Sequence, residues 1–335
     1  MPITITEQFI QSLATSKQDV LEAETLPPEC YTDANFYEFE KEALFTHHWS
    51  YSLDGDLVGA PAMNKTCEFD RKANGLPNFK VEVWEGFIFI NFDQDAAPLA
   101  PRLVHVQEAI KGYDLASAEG PRPDPAPRLM WNWKVMFENN NDGYHASRLH
   151  HGPLHDFVPS ERASFPDAPE GAAGYLRFNG TLHPDASFNP TQKAVLPVFP
   201  GLSDEARQRM TFANIPPSLS LVMTSDMVIY LIIRPDSPET HYMDTGVLVA
   251  PGAMEDEAYE HKMEMIMNST SHIIAQDWHV DEMVQLGLRS RFAKRGRYSW
   301  QEGAQAQFNE WLVDRYVSEW NRRAEPTDDA SIAAE

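Results

Sequence analysis

The sequence is poor in cysteine and in long apolar runs, and each shortage excludes a class of protein. It has two cysteines, Cys30 and Cys67, among 335 residues, which is too few for a disulfide framework and suits a reducing compartment. No apolar run approaches the ~18 residues of a membrane-spanning helix. The first residues also lack the basic and apolar stretches of a signal peptide. We therefore expect a cytoplasmic protein with no membrane association.

Basic residues are also scarce. Lys and Arg number 27 against 50 Asp and Glu, and the net charge is −23. Phosphate groups are bound by clustered cations, and the sequence has no basic run. Nucleic acid is therefore excluded as a partner.

Hydrophobic residues make up 42% of the chain and aromatic residues 11%, which is typical of a folded globular protein. Residues 79–92 read FKVEVWEGFIFINF, two apolar runs around a Glu-Gly pair, and predict a β-hairpin. A helix is predicted over 104–112. The proline-rich stretch GPRPDPAPR that follows, at 120–128, places the main domain boundary near this part of the chain.

The second half of the chain combines strands with helices. The stretch LMWNWKVMF, at 129–137, is a strand-like aromatic run that passes into a predicted helix. The runs Leu219–Arg234 and His241–Ala250 predict two hairpin strands joined by the turn PDSPET. Helical periodicity follows over 254–268, 269–287 and 301–322. The fold class is therefore α+β, an antiparallel sheet with helices towards the C-terminus.

The histidines are the chemically informative residues. Four of the twelve lie within eleven positions: His145, His150, His151 and His155. His145 and His150 are spaced so that a slightly irregular helix would direct both imidazoles at one ion. Asp142 is placed to accept the second ring N–H of a ligating histidine. His151 and His155 are interpreted as non-ligands.

A third ligand must come from elsewhere in the chain. The segment HIIAQDWHVDEMVQLGLRS offers Asp277, Asp281 and Glu282 on a later predicted helix. Two imidazoles and one carboxylate form the facial triad of non-haem Fe(II) oxygenases, which leaves positions open for O2 and substrate. Spacing alone does not distinguish a metal site from an ordinary protein surface, because paired histidines and acidic helix faces are also common there.

The segment NWKVMFENNNDGYHASRLH, residues 132–150, resembles the iron-site signature of Rieske non-haem iron oxygenase α-subunits. That signature has N-W-K, then E-N, an acid two residues before Tyr-His, and a second His. The resemblance implies a helix-grip fold and a mononuclear Fe(II) held by His145, His150 and Asp277, with Asp281 as the alternative carboxylate. It also implies that Asp142 carries electrons to the iron and that Asn139 lies beside it.

The same family carries a [2Fe–2S] cluster held by C-x-H and C-x2-H pairs, whose two histidines raise its potential. Cys30 is followed by Tyr-Thr and Cys67 by Glu-Phe-Asp, so the ligands of that cluster are absent from this chain. ALFTHHW resembles the family's segment before the cluster domain, and SYSLDGDLVGAP resembles the segment just after its second Cys-His pair. In this chain the two segments are joined near Trp49, without the residues that lie between them in the family. We therefore predict a truncated Rieske remnant over 1–97, an iron-bearing catalytic domain over 98–325 and a disordered tail over 326–335.

The resemblance implies an oxygenase that uses Fe(II) and O2 to hydroxylate or oxidatively demethylate an aromatic or other small organic substrate. Its electrons would come from a Rieske-bearing paralogue or a reductase, within a trimer or hetero-oligomer. A non-catalytic carrier of apolar ligands and a metal hydrolase are the alternatives. The pocket walls are predicted within 175–235, from Phe178, Leu182, Phe188, Phe199, Met223 and Leu231.

Overall fold

The computed structural model describes residues 3–46, 79–150 and 154–324. The predictions made for Trp49, Cys67, His151 and the tail 326–335 lie outside these residues. Within the described ranges, no helix combines the length and apolar character that crossing a bilayer requires.

The N-terminal segment forms three short helices: α1 (Glu7–Ser12), α2 (Glu29–Thr32) and α3 (Ala34–Glu40), which runs into a π-helical turn over Lys41–Thr46. Thr6 and Asp33 cap α1 and α3, because their side chains accept hydrogen bonds from backbone N–H groups of the first turn. Phe36 of α3 packs edge-on against Tyr316, with ring centroids 5.0 Å apart. The segment is therefore anchored on the C-terminal part of the chain.

The predicted hairpin over 79–92 is present as β1 (Lys80–Trp84) and β2 (Phe87–Asn91). Glu85 and Gly86 form its turn, both with positive φ, as a tight hairpin turn requires. Helix α4 (Val104–Ile110) follows, as predicted from the sequence.

A seven-stranded antiparallel sheet forms the centre of the fold, in the order β3-β9-β8-β7-β6-β5-β4. Its strands are β3 (Arg128–Leu129), β4 (Ala163–Ser164), β5 (Tyr175–Gly180), β6 (Arg209–Ile215), β7 (Leu219–Met223), β8 (Val228–Ser237) and β9 (Thr240–Leu248). Three helices complete the fold: α5 (Trp133–Asn141), α6 (Tyr259–Leu288) and α7 (Gly303–Ala324). The predicted α+β class, with an antiparallel sheet and long C-terminal helices, is confirmed.

Each face of the sheet buries its own apolar core, because alternate strand residues point to opposite faces. On β8, Ile229 and Leu231 join the core shared with α5, α6 and α7. Tyr230 and Ile232 pack on the other face, against the core that includes α4 and the β1–β2 hairpin. We call these the helix face and the hairpin face.

The register between β8 and β9 is fixed by a cross-strand pair on the hairpin face. Tyr230 lies directly opposite Gly246, and a Cβ on Gly246 would overlap the tyrosine ring. The ring therefore covers the glycine. This contact holds β8 in one alignment, and a shift by one residue would exchange the two faces of the strand.

Three predicted elements differ from the structure. The aromatic run 129–137 is a strand only at Leu129, the end of β3, because Asn132 caps α5 and the helix begins at Trp133. The run Leu219–Arg234 is two strands, since the chain reverses between Met223 and Val228. The helices predicted over 254–268 and 269–287 form the single 30-residue helix α6.

Candidate metal centre and adjoining cavity

Helix α5 is held in place by the residues at its start. The side chain of Asn132 accepts a hydrogen bond from Lys134 N and donates to the carbonyls of Tyr31 and Pro238. Lys134 Nζ lies 2.7 Å from Glu40 Oε1, and both side chains are fully buried. The N-W-K motif therefore ties the catalytic part of the chain to helix α3.

Glu40 is the common acceptor of this buried network. Trp133 Nε1 donates to Glu40 Oε2 at 2.9 Å, and the Tyr316 hydroxyl donates to Glu40 Oε1. With Lys134 these donors satisfy both carboxylate oxygens, which a buried charge requires. The helix that begins here leads to the histidines.

The chain leaves α5 at Asp142 and enters a 3-10 turn at His145. Arg177 of β5 fixes this exit, because its Nη1 donates to the carbonyl oxygens of Asn140 and Asp142 at 2.7 Å each. The prediction that both histidines lie on one irregular helix was wrong. His150 follows the turn in a non-helical stretch.

His145, His150 and Asp277 nevertheless converge. His150 Nε2 lies 2.9 Å from Asp277 Oδ1, and His145 Nε2 lies 3.8 Å from the same oxygen. One potential ligand atom from each residue lies within 4.8 Å of the other two. Two imidazole nitrogens and a carboxylate oxygen suit a divalent transition metal.

Neighbouring groups direct both Nε2 atoms to this point. Asp142 Oδ1 accepts from His145 Nδ1 at 2.9 Å, and Gln276 Oε1 accepts from His150 Nδ1 at 2.9 Å. Each imidazole then carries its proton on Nδ1 and leaves Nε2 free for a metal. Apart from Asp277 Oδ1 at 2.9 Å, the buried Nε2 of His150 has no hydrogen-bond partner among the described residues, so the site fits a metal ion.

Burial would raise the pKa of Asp142, but the hydrogen bonds from His145 outweigh it and the pKa lies below its usual value. Asp142 is therefore a carboxylate that holds the His145 tautomer. Its side chain is 16% exposed and that of His145 21%. The pair thus reaches from the metal centre to the protein surface.

Asn139 and Asp281 lie beside the triad. Asn139 Nδ2 is 3.3 Å from both Asp277 Oδ1 and Asp281 Oδ1. Asp281 is 2% exposed, and burial, followed by the charge of Asp277, raises its pKa well above the usual value. Asp277 is the better candidate of the two, because its carboxylate oxygen is the one that lies within 4.8 Å of a ring nitrogen of both histidines.

A fourth carboxyl of this region, that of Glu138, belongs to α5 itself. Glu138 accepts a hydrogen bond from the Tyr31 hydroxyl. Burial raises the pKa of Glu138 to about 7. Glu138, in the E-N pair of the motif, therefore connects α5 to α2 rather than to the metal centre.

A cavity of about 100 Å³ adjoins the triad. The pocket predictions for Phe188 and Leu231 agree with its lining. Phe178, Phe199 and Met223 instead pack in the core of the hairpin face, and Leu182 is 54% exposed. The alternation along β8 and β9 would have identified the missed wall residues Ile229 and Met243.

Cys30 lies on α2 and is buried in the core of the helix face. Burial raises the pKa of its thiol well above the usual range. It is a packing residue in this structure.

Known proteins resemble the chain in sequence and in fold. The glycine betaine monooxygenase oxygenase subunit of Pseudomonas aeruginosa is 24% identical over 300 residues, covering 81% of this chain and 68% of that protein. A quaternary ammonium Rieske monooxygenase, studied for carnitine oxidation and inter-subunit electron transfer, superimposes with a TM-score of 0.69 at 18% identity, over 94% of this chain and 100% of that one. Naphthalene 1,2-dioxygenase with bound indole superimposes with a TM-score of 0.62 at 13% identity, over 92% and 98%.

The structural matches establish the fold, and the sequence establishes the family. Residues 113–318 match the family described as "Ring hydroxylating alpha subunit (catalytic domain)". This span contains the whole triad and most of the cavity wall. Membership of the family implies a non-haem iron oxygenase with a mononuclear iron at its catalytic site. The chain therefore belongs to the ring-hydroxylating oxygenase α-subunits and carries their catalytic domain.

Proposed function

We propose that this chain is the catalytic subunit of an oxygenase that hydroxylates or oxidatively demethylates a small organic substrate with O2. The observation that carries the proposal is the convergence of His145, His150 and Asp277 next to an apolar cavity. Iron bound by this triad would supply O2 activation, since a facial triad keeps coordination positions open for O2 and substrate. The chain's own residues do the rest.

Asp142 and Gln276 hold the histidine rings, and Asn139 holds Asp277, so that three ligands are oriented before a metal arrives. Burial keeps Asp281 neutral beside the triad and so limits the negative charge there. The apolar wall excludes water from the reacting position, which suppresses side reactions.

Electrons are proposed to enter from another protein chain, either a Rieske-bearing paralogue or a reductase. Neither cysteine of this sequence has the histidine partners of a Rieske pair. The partly exposed Asp142–His145 pair leads from the surface to the triad, and Tyr144 beside it is 41% exposed. We propose that the donor docks at this pair, in a trimer or hetero-oligomer.

The first test is the iron and acid-labile sulfide content of protein purified without oxygen. We expect about one iron per chain, as one triad implies, and no sulfide. Asp277→Ala should lose the iron, while Asp281→Asn should keep it, because an amide preserves the neutral state of that buried group. Loss of iron in Asp281→Asn alone would assign the ligand to Asp281.

Absence of iron after reconstitution of the wild-type protein with Fe(II) would refute the oxygenase and favour the ligand carrier. The electron donor is tested separately, by turnover with a generic reductase alone and with a Rieske-bearing protein added. Full turnover with the generic reductase alone would refute the need for a second cluster-bearing chain.

A further inference from the structure

The cavity beside the triad is small. Its volume of about 100 Å³ is less than the roughly 150 Å³ of an engineered apolar cavity that holds one benzene. The space takes at most one six-membered ring, or a branched chain of similar size, and a short substituent would extend into the opening of this partly enclosed cavity. Two fused rings exceed it.

The sheet contributes an almost entirely apolar wall. Of the strand residues that line the cavity, Arg177 is the only polar one among the described residues. The others are Met210, Phe212, Val222, Ile229, Leu231 and Met243. Such a wall binds apolar surface and offers nothing to a charged substituent.

Among the described residues, Arg177 is the one Lys or Arg side chain in the lining, and four of its five N–H donors are already engaged. Nη1 donates to the carbonyls of Asn140 and Asp142, while Nε and Nη2 donate to Asn179 Oδ1 at 3.0 and 2.8 Å. No pair of parallel N–H groups is left for a substrate carboxylate. The guanidinium also lies 4.2 Å from the Phe212 ring centroid, so the ring already has a cation.

The same guanidinium disfavours a cationic substrate. An ammonium group in the cavity would face this buried positive charge, and Asp277, the carboxylate in the lining, is the proposed iron ligand. Its negative charge is therefore offset by the metal. Thr270 donates to the Ile266 carbonyl at 2.9 Å and provides no counter-charge.

We infer that the substrate is a neutral, apolar molecule no larger than one six-membered ring with a short substituent. The inference rests on the proposed function for the fate of the bound molecule. Its ranking of neutral over anionic ligands follows from the cavity alone, and its ranking of neutral over cationic ligands applies to the metal-loaded protein, in which Asp277 is engaged. It separates this chain from the relatives named for glycine betaine and quaternary ammonium compounds, which carry charge, and from the one named for naphthalene, which has two rings.

The test uses three fluorinated probes of matched size and different charge: 4-fluorotoluene, 4-fluorobenzoate and 4-fluorobenzylammonium. Their binding to the full chain is measured without oxygen by ¹⁹F NMR, in the metal-free and the Fe(II)-loaded protein. We expect 4-fluorotoluene to bind at least about 100-fold more tightly than 4-fluorobenzoate in the metal-free protein and than 4-fluorobenzylammonium in the Fe(II)-loaded protein, because burying an unpaired charge is costly. 1-Fluoronaphthalene should bind no better than the charged probes.

Three variants locate the site. Leu231→Trp should fill the cavity and abolish binding of 4-fluorotoluene, and Leu231→Ala should enlarge it and admit 1-fluoronaphthalene. Ile232→Phe is the matched control, because it lies on the same strand but on the hairpin face, and binding should be unchanged. Should Leu231→Trp fail to fold, the wild-type ranking and Leu231→Ala still decide the question.

The outcomes separate this inference from the proposed function. Tighter binding of 4-fluorobenzoate in the metal-free protein, or of 4-fluorobenzylammonium in the Fe(II)-loaded protein, would overturn the inference, even if iron is bound. Preference for 4-fluorotoluene in a protein that takes up no iron would support the inference and refute the oxygenase. Broadening of the bound 4-fluorotoluene signal by Fe(II) supports both.

Discussion

The buried pair of Lys134 and Glu40 offers the most demanding test of the structure. Both side chains have 0% exposure, and their charged atoms are 2.7 Å apart. Lys134→Met keeps the length of the side chain but removes the charge. Glu40 would then be a buried carboxylate that retains only the neutral donors Trp133 Nε1 and the Tyr316 hydroxyl.

Removing one partner of a buried ion pair typically costs about 3–5 kcal/mol, because the other charge is left uncompensated. The unfolding entropy is roughly 2.1 cal/mol/K per residue, and the chain has 335 residues. The expected loss in the free energy of unfolding, divided by this entropy, therefore corresponds to a fall in Tm of about 4–7 °C. Calorimetry or circular dichroism measures this shift directly.

The exposed pair Lys111–Glu108 is the matched control. Its N–O distance is 2.6 Å, but its side chains are 66% and 64% exposed, so Lys111→Met should cost at most about 0.5 kcal/mol. The double variant Lys134→Met/Glu40→Gln should recover at least half of the loss, since it removes the unpaired charge. Equal effects of the two single variants would refute the reasoning from burial.

Three further predictions concern stability. The pKa of Glu138 is raised to about 7 in the folded protein, so the folded state binds a proton there more tightly than the unfolded state does. The contribution of this proton to the free energy of unfolding is present at low pH and is lost as the pH rises from about 4 to 7. The free energy of unfolding of Glu138→Gln, measured in urea, should equal that of the wild type near pH 4 and exceed it by up to about 3 kcal/mol above pH 7. A difference that does not change with pH would contradict this. Asn132→Ala should cost at least about 2 kcal/mol, because it removes a helix cap and two donors to buried carbonyls, and Asn132→Asp should restore only the cap. Removing iron with a chelator should lower the Tm of the wild type and leave that of Asp277→Ala unchanged.

The local chemistry of the site was readable from the sequence because its residues are concentrated in one motif. Residues 132–150 supply both histidines, Asp142 and Asn139, and it is the resemblance of this segment to the family signature, rather than the spacing alone, that indicates the site. Asp277 lies on α6, as does Gln285, whose side chain accepts a hydrogen bond from Asn132 N. That contact links the two segments in space.

The cavity wall was harder to predict, because its specificity depends on which strand residues share a face. The turn-forming residues Thr224, Ser225 and Asp226 mark the reversal between Met223 and Val228, but the prediction treats Leu219–Arg234 as one strand and so loses the strand phase there. Met223 then falls on the hairpin face and Leu231 on the helix face. Long-range pairing, which the local pattern does not encode, decides this.

The pairing of Tyr230 with Gly246 links the two faces of the sheet. Neither residue lines the cavity, yet their contact sets the phase of β8 and thereby presents Ile229 and Leu231 to the substrate. A side chain at position 246 would displace the tyrosine ring. Selectivity of this enzyme can therefore change through residues that never meet its substrate, and variant libraries restricted to the cavity lining would overlook them.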